Sequence, residues 1–71
     1  MTLLGEYLAK KSINQSKVAR KTGLDRQRIN QLYNNKTSRL TVEEFCLIML
    51  AIDVNPSEAL KTIFGFIKLP S

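Results

Sequence analysis

The sequence lacks histidine and contains a single cysteine, Cys46. It therefore cannot supply the Cys and His ligand clusters of zinc sites or a Cys–His catalytic pair, and one cysteine excludes an internal disulfide bond. The three glycines, Gly5, Gly23 and Gly65, are too scattered along the chain to form a phosphate-cradling loop. These absences predict a protein with no bound metal, no cofactor and no enzymatic activity.

Long apolar runs are also missing. The longest, Phe45 to Ile52, has eight residues, whereas a membrane-spanning helix needs roughly 18. The N-terminus does not carry the basic and apolar segments of a secretory signal. Because the chain has only 71 residues, we expect one domain over 1–71, without a deep substrate cavity. The lack of a secretory signal and of a cysteine pair favours the cytoplasm.

Positive charge is concentrated in one half of the chain. Residues 10–39 hold nine Lys and Arg against one acid, Asp25, for a net charge of +8, whereas residues 40–71 have a net charge of −2. This asymmetry is typical of a protein that binds a polyanion such as nucleic acid. The alternative is a solvated basic face without a ligand.

Helix start and stop signals predict an all-α fold of five short helices. Residues able to cap a helix N-terminus precede each predicted helix: Thr2, Asn14, Asp25, Thr41 and Asn55. The predicted spans are from 3 to 10 or 11, from 15 to about 22, 26–34, from 42 to about 52, and 56–64. Left-handed residues should end the second helix, at Gly23, and the third, at Asn34 or Asn35; Gly65 should close the fifth. The fourth helix is apolar nearly all round and is expected to be a central core helix.

Residues 15–34 have the pattern of a helix-turn-helix. Val18, Leu24, Ile29 and Leu32 provide the apolar positions, and Gly23 provides the sharp turn. Ala19 is small, as is needed where one helix crosses closely over another. The alternative is an ordinary helical hairpin with a glycine turn. Such a hairpin would not need the small residue, the glycine and the four apolar positions all in register.

These residues resemble the Cro/repressor (XRE-like) family of bacterial and phage transcriptional regulators, from about Leu4 to Phe64. The resemblance includes the segment Asn-Asn-Lys-Thr-Ser-Arg at 34–39. It implies a compact five-helix, lambda-repressor-like bundle whose third helix enters the major groove, and a homodimer on palindromic operators. The sequence departs from the family pattern in three places. Thr22 stands where the family usually has an apolar residue, and Asn35 where it usually has glycine. Leu8 and Tyr33 stand where some relatives bury an Arg–Glu pair.

A helical wheel that turns Ile29, Leu32 and Tyr33 inward leaves a polar face on the third helix. Amide and guanidinium side chains suit base edges, since Gln or Asn can pair with adenine and Arg with guanine. Arginines in a first helical turn oppose the helix dipole, which indicates a functional reason for them. The predicted base-reading residues are Arg26, Gln27, Arg28, Asn30 and Gln31.

A second set of residues is predicted to bind DNA phosphates. Amides at the start of the second helix form an anion-binding end, and polar residues after the third helix could hold the opposite strand. For Lys17 a solvated helix face is an equal alternative. The predicted phosphate-binding residues are Asn14, Gln15, Lys17, Asn34, Lys36, Thr37, Ser38 and Arg39.

The pattern favours a sequence-specific, nucleoid-associated regulator that binds double-stranded DNA and acts as a repressor. Alternatives are a protein-interaction module of the same fold and an antitoxin-like or phage regulator that binds both DNA and a protein. We expect a homodimer formed through the C-terminal tail, residues 65–71, with Phe64, Phe66, Ile67 and Leu69 in the interface. The tail could instead fold back over the first and fifth helices. No effector pocket is evident.

Overall fold

The chain folds into five α-helices joined by short connectors. The computed structural model describes residues 1–69. Within this range the helices are α1 (Leu3–Lys10), α2 (Gln15–Thr22), α3 (Arg26–Asn34), α4 (Val42–Ala51) and α5 (Pro56–Phe64). The predicted all-α fold and the five predicted helices are confirmed, with α4 ending one residue earlier than expected.

Each helix begins where a side chain can accept a hydrogen bond from a free backbone amide. Asn14 Oδ1 accepts from Ser16 N at 2.8 Å, and Asp25 Oδ1 accepts from Gln27 N at 2.9 Å. Thr41 and Glu44 form a reciprocal capping box at the start of α4. Since these bonds satisfy amides that a helix leaves unpaired, the sequence determines the start of each helix locally.

The helix ends agree only partly with expectation. Gly23 has φ 76° and ends α2 in the left-handed conformation, as predicted. Asn35 follows α3 with an extended backbone at φ −94°, and Gly65 follows α5 in a right-handed conformation at φ −65°. The left-handed ending expected for α3 is therefore wrong.

The helices pack in a closed ring. The neighbouring pairs are α1 with α3, α3 with α2, α2 with α4, α4 with α5, and α5 with α1. Twelve buried apolar side chains fill the centre: Leu4, Leu8, Val18, Ala19, Ile29, Leu32, Tyr33, Phe45, Ile48, Met49, Ala59 and Ile63. The α3 residues that the helical wheel turned inward are all among them.

Helix α4 is less central than predicted. Phe45, Ile48 and Met49 are buried, but Val42 is 80% exposed and Leu50 is 63% exposed. An apolar sequence all round a helix suits burial on every side, but α4 packs only against α2 and α5 and so keeps one face in solvent.

The N-terminus fastens α1 to the end of α3. Thr2 N donates to the Tyr33 carbonyl at 2.8 Å, and the Thr2 hydroxyl donates to the Leu32 carbonyl at 2.6 Å. Gly5 permits this approach, because a Cβ there would overlap the Tyr33 carbonyl oxygen. The close contact fixes the position of α3 from its C-terminal end.

The described part of the C-terminal tail does not cover the protein's own surface. Phe66, Ile67 and Leu69 are 65%, 64% and 88% exposed. For residues 65–69 the fold-back alternative is therefore wrong. Phe64 is half-buried, and its ring packs edge-on against Phe45 with centroids 6.2 Å apart. Its place in a dimer interface stays a prediction. Pro70 and Ser71, also assigned to the tail, lie outside the described residues.

Candidate nucleic-acid interface

The turn between α2 and α3 is built from residues 22–25. Gly23 takes the left-handed conformation with open space around it. The Thr22 hydroxyl donates to the Val18 carbonyl at 2.7 Å and accepts from Leu24 N at 3.2 Å. A polar residue is tolerated at this half-buried position because its hydroxyl is satisfied in both roles. The turn therefore holds α3 at a defined place beside α2.

The outward face of α3 carries a row of free polar side chains. Arg26, Gln27, Asn30 and Gln31 are exposed, whereas Ile29, on the opposite side, is completely buried. The predicted base-reading residues other than Arg28 thus lie together on the solvent side of one helix. Amides and a guanidinium in this position can donate to and accept from groups on a base edge.

Arg28 differs from its neighbours because its guanidinium is already bound within the protein. Nε donates to Glu44 Oε2 at 2.7 Å and Nη2 donates to Glu44 Oε1 at 2.9 Å. Nη2 also donates to the Arg39 carbonyl at 2.6 Å. The expectation that this arginine opposes the α3 dipole without local compensation is therefore wrong, because Glu44 compensates it.

Glu44 belongs to the capping box of α4 and is also the partner of Arg28. Its side chain is 15% exposed and also accepts from Thr41 N at 3.1 Å. The Arg28 guanidinium, with help from Thr41, lowers the pKa of Glu44 to about 2. The carboxylate is therefore ionised throughout the physiological range. Nothing in the sequence spacing of 28 and 44 could have indicated the pair.

The connector after α3, the 35–41 segment, presents several of the predicted phosphate-binding groups. Asn35 Oδ1 accepts from Thr37 N at 3.0 Å and from the Thr37 hydroxyl at 2.7 Å, which folds the start of the segment into a compact turn. Lys36 and Arg39 are exposed, and Ser38 is half-buried. Since the Arg39 carbonyl is bound by Arg28, this basic segment is held beside α3.

The start of α2 is less open to anions than expected. Asn14 Oδ1 already accepts from the amides of Ser16 and Lys17. The groups left for a phosphate at this end are the Asn14 amide nitrogen, the half-buried Gln15 and the exposed Lys17 side chain. At the other end of α3, Asn34 Nδ2 donates to the Asn30 carbonyl at 3.3 Å and remains exposed.

Residues 1–69 contain no group of three or more His, Cys, Asp or Glu side chains placed to hold a metal ion. Over the same range no helix is both long and apolar enough to cross a bilayer. Arg28 with Glu44 is the one ion pair of this part of the chain. The basic side chains around α3 are thus left to offer positive charge to an external partner.

Comparison with known families identifies the kind of domain. The family described as the Cro/C1-type HTH DNA-binding domain matches residues 4–65, nearly the whole chain. The chain belongs to this family. Comparisons with curated proteins and with solved structures give no significant match. The resemblance that the sequence predicted is therefore confirmed, and so is its helix-turn-helix fold.

The departures from the Cro/C1-type pattern now have structural explanations. Thr22 satisfies its hydroxyl on the α2 backbone. Asn35 does not need glycine because its backbone is extended. Leu8 and Tyr33 are both buried where some relatives have an ion pair, and the Tyr33 hydroxyl has no hydrogen-bond partner within residues 1–69. The replacement avoids the desolvation penalty of two buried charges, but the unpartnered hydroxyl offsets part of that gain.

Proposed function

We propose that the chain is a sequence-specific transcriptional regulator, a repressor that covers a palindromic operator as a homodimer. The observation that carries this proposal is the row of exposed polar side chains on α3: Arg26, Gln27, Asn30 and Gln31. In a helix-turn-helix this helix enters the major groove, where such groups can contact base edges. Membership of a DNA-binding family supports the same conclusion.

Phosphate contacts would come from both sides of α3. Asn14, Gln15 and Lys17 lie at the start of α2, and Asn34 closes α3. Lys36, Thr37, Ser38 and Arg39 belong to the segment that Arg28 holds beside α3. Such contacts set the register of a protein on the duplex and contribute most of the salt-dependent affinity.

The homodimer is supported by apolar surface that the monomer leaves uncovered. A groove of about 760 Å³ is lined by residues of α1, α4 and α5, among them Leu3, Val42 and Leu60, and it extends to Lys36 and Ser38 of the 35–41 segment. The three apolar side chains are at least 44% exposed. The described tail adds Phe66, Ile67 and Leu69, which also lack cover. We assign the groove to the tail of a second copy, because each copy offers both surfaces.

The area available fits a stable dimer. If each of these exposed side chains, with Met1, covers about 100 Å², two copies would bury roughly 1,400 Å², which is within the range of specific interfaces. A single module buries only about 600–1,000 Å² on DNA, and two modules in successive major grooves would raise the affinity. The tail belongs to the half of the chain with net charge −2, so joining these halves brings together less positive charge than joining residues 10–39 would, although Lys36 also lines the groove.

The test of DNA recognition is selection of binding sequences from random duplexes over a salt series. We expect an enriched, two-fold symmetric consensus. With contacts to about six phosphates, affinity should fall roughly a thousandfold between 50 and 200 mM salt. A flat salt response, or no enriched sequence, would reject the proposal and favour a protein-interaction module.

A further inference from the structure

Helices α3 and α4 are not neighbours in the ring of helix pairs, yet Arg28 and Glu44 join them. The same guanidinium also holds the Arg39 carbonyl in the connector between them. One side chain thus connects the proposed base-reading helix, the 35–41 segment and the first turn of α4. Its removal would leave the segment with fewer attachments to α3.

The hydrogen-bond donors of Arg28 decide whether it can also read a base. A guanidinium has five N–H groups, and bidentate recognition of guanine needs two that point the same way. Nε and one Nη2 proton are directed to Glu44, and the other Nη2 proton is directed to Arg39. A guanidinium has two pairs of parallel N–H groups, Nε with Nη2 and Nη1 with Nη2. Both pairs use an Nη2 proton that is already bound, so only the protons on Nη1 remain free.

Nη1 lies near a proposed base reader. It is 3.5 Å from Gln31 Oε1, the longest of the contacts that Arg28 makes. Because arginine has only donors, the amide of Gln31 must turn its oxygen toward Arg28. This leaves the NH₂ group of Gln31 to donate to an acceptor on a base. At this distance the contact is weak, so Arg28 favours one orientation of the Gln31 amide and does not fix it.

We propose that Arg28 is a positioning residue and not a base reader: held by Glu44, it favours one orientation of the Gln31 amide and fixes the 35–41 segment beside α3. This inference rests on the proposed recognition of DNA through α3. It corrects the sequence-based assignment of Arg28 to the base-reading set. The base-reading residues that remain are Arg26, Gln27, Asn30 and Gln31.

The experiment compares base preferences of three full-length variants with those of the unmodified protein. Arg28→Gln and Glu44→Gln each break the clamp from one side, whereas Glu43→Gln, at an exposed neighbouring position, removes the same charge without touching it. We expect Arg28→Gln and Glu44→Gln to lose preference at the same base pairs. Both should also bind all sequences more weakly than the unmodified protein does. The double variant should be no worse than either single variant, and Glu43→Gln should keep the original preferences.

A direct reader would behave differently. Arg28→Gln would then lose a bidentate contact worth roughly 5- to 150-fold at one base pair, and Glu44→Gln would keep or strengthen that preference by freeing the guanidinium. That result would overturn the inference. If the unmodified protein selects no sequence, it is the proposed function that fails instead.

A measurement without substitution keeps the test decisive if a variant unfolds. The Nε–H proton of Arg28, observed by NMR in the intact protein, should exchange slowly and keep its resonance position when operator DNA is added, because Glu44 still holds it. If the chemical shift of this proton changes to the value of a guanidinium that no longer binds the carboxylate, Arg28 contacts the DNA and the inference is wrong.

Discussion

At the scale of single residues, the missing side chain of Gly5 has a specific consequence. It lets α1 rest directly on the last turn of α3, where Thr2 binds two carbonyls. A glycine within a helix ordinarily weakens it by about 0.5–1 kcal/mol relative to alanine. Here the close approach of two backbones outweighs that cost, because a Cβ has no space.

Gly5→Ala should therefore destabilise the protein, although alanine favours helix formation. Since the added methyl group would meet backbone atoms of Tyr33, we expect the free energy of unfolding to fall by about 1–3 kcal/mol. Urea denaturation measures this change. Ala9→Ser, at an exposed position of the same helix, is the control and should change stability by no more than about 0.5 kcal/mol. Equal or greater stability of Gly5→Ala would contradict the close approach.

Glu44 gives the protein a defined dependence on acid. Its pKa is about 2 in the folded chain, below the ordinary value of 4.5, because the Arg28 guanidinium and Thr41 favour the carboxylate. Because the folded pKa is the lower one, the stabilisation is complete above about pH 5 and disappears as the pH falls through 2. Glu44→Gln keeps a capping-box side chain but cannot ionise.

We expect the stability difference between the unmodified protein and Glu44→Gln to be largest at pH 5 and above, and to shrink toward pH 2. Urea denaturation at several pH values measures it. Glu43→Gln serves as the reference, since Glu43 is exposed and forms no ion pair within residues 1–69. A difference that stays constant from pH 5 to pH 2 would show that the Glu44 carboxylate is not held by Arg28.

At the scale of the helices, the sequence predicts what depends on neighbours along the chain. The starts of all five helices follow from capping residues such as Asn14 and Asp25, and the inward face of α3 follows from helical periodicity. The Arg28–Glu44 pair does not follow, because it depends on how α4 is placed against α3. The exposed face of α4 was missed for a similar reason, since apolar composition does not reveal how many neighbours a helix has.

The proposed roles of α3 in base reading and of the 35–41 segment in phosphate binding lead to another prediction. Gln27→Ala should relax preference at one base pair by about 1–3 kcal/mol, because Gln27 lies on the outward face of α3. Arg39→Ala should weaken binding to all duplexes alike, since a phosphate contact carries no sequence information. Competition binding with single-base operator variants distinguishes the two effects.

The control for that comparison is Lys61→Ala, which removes the same charge from the exposed surface of α5, away from the proposed interface. We expect it to have little effect on either quantity. If Gln27→Ala and Arg39→Ala produced the same uniform loss, α3 would not be the base-reading element.

At the scale of the whole molecule, the tail should determine assembly. A chain ending at Phe64 lacks Phe66, Ile67 and Leu69 but keeps the edge-on contact of Phe64 with Phe45. We expect the full chain to sediment as a dimer at tens of micromolar and the shortened chain to sediment as a folded monomer with weaker operator binding. Leu50→Ser, which removes an exposed apolar side chain outside the groove, should leave the dimer intact.

A monomeric full chain that binds its operator as tightly as the shortened one would reject the tail as an interface. Sedimentation and operator binding must be measured on the same preparations. If the dimer forms only on DNA, the full chain will still bind the operator more tightly than the shortened chain, although both sediment as monomers.

The closed ring of helix pairs also bears on how the molecule opens. Each helix has two packed neighbours, so none can detach without exposing two apolar faces at once. Partial opening therefore costs nearly as much as complete unfolding, and half-open forms should be scarce. The 35–41 segment is the longest connector, but Arg28 holds it to α3. Phe66, Ile67 and Leu69 lie outside the ring and are exposed, so protease attack on the native chain would begin there, while the helices stayed folded until the whole ring came apart.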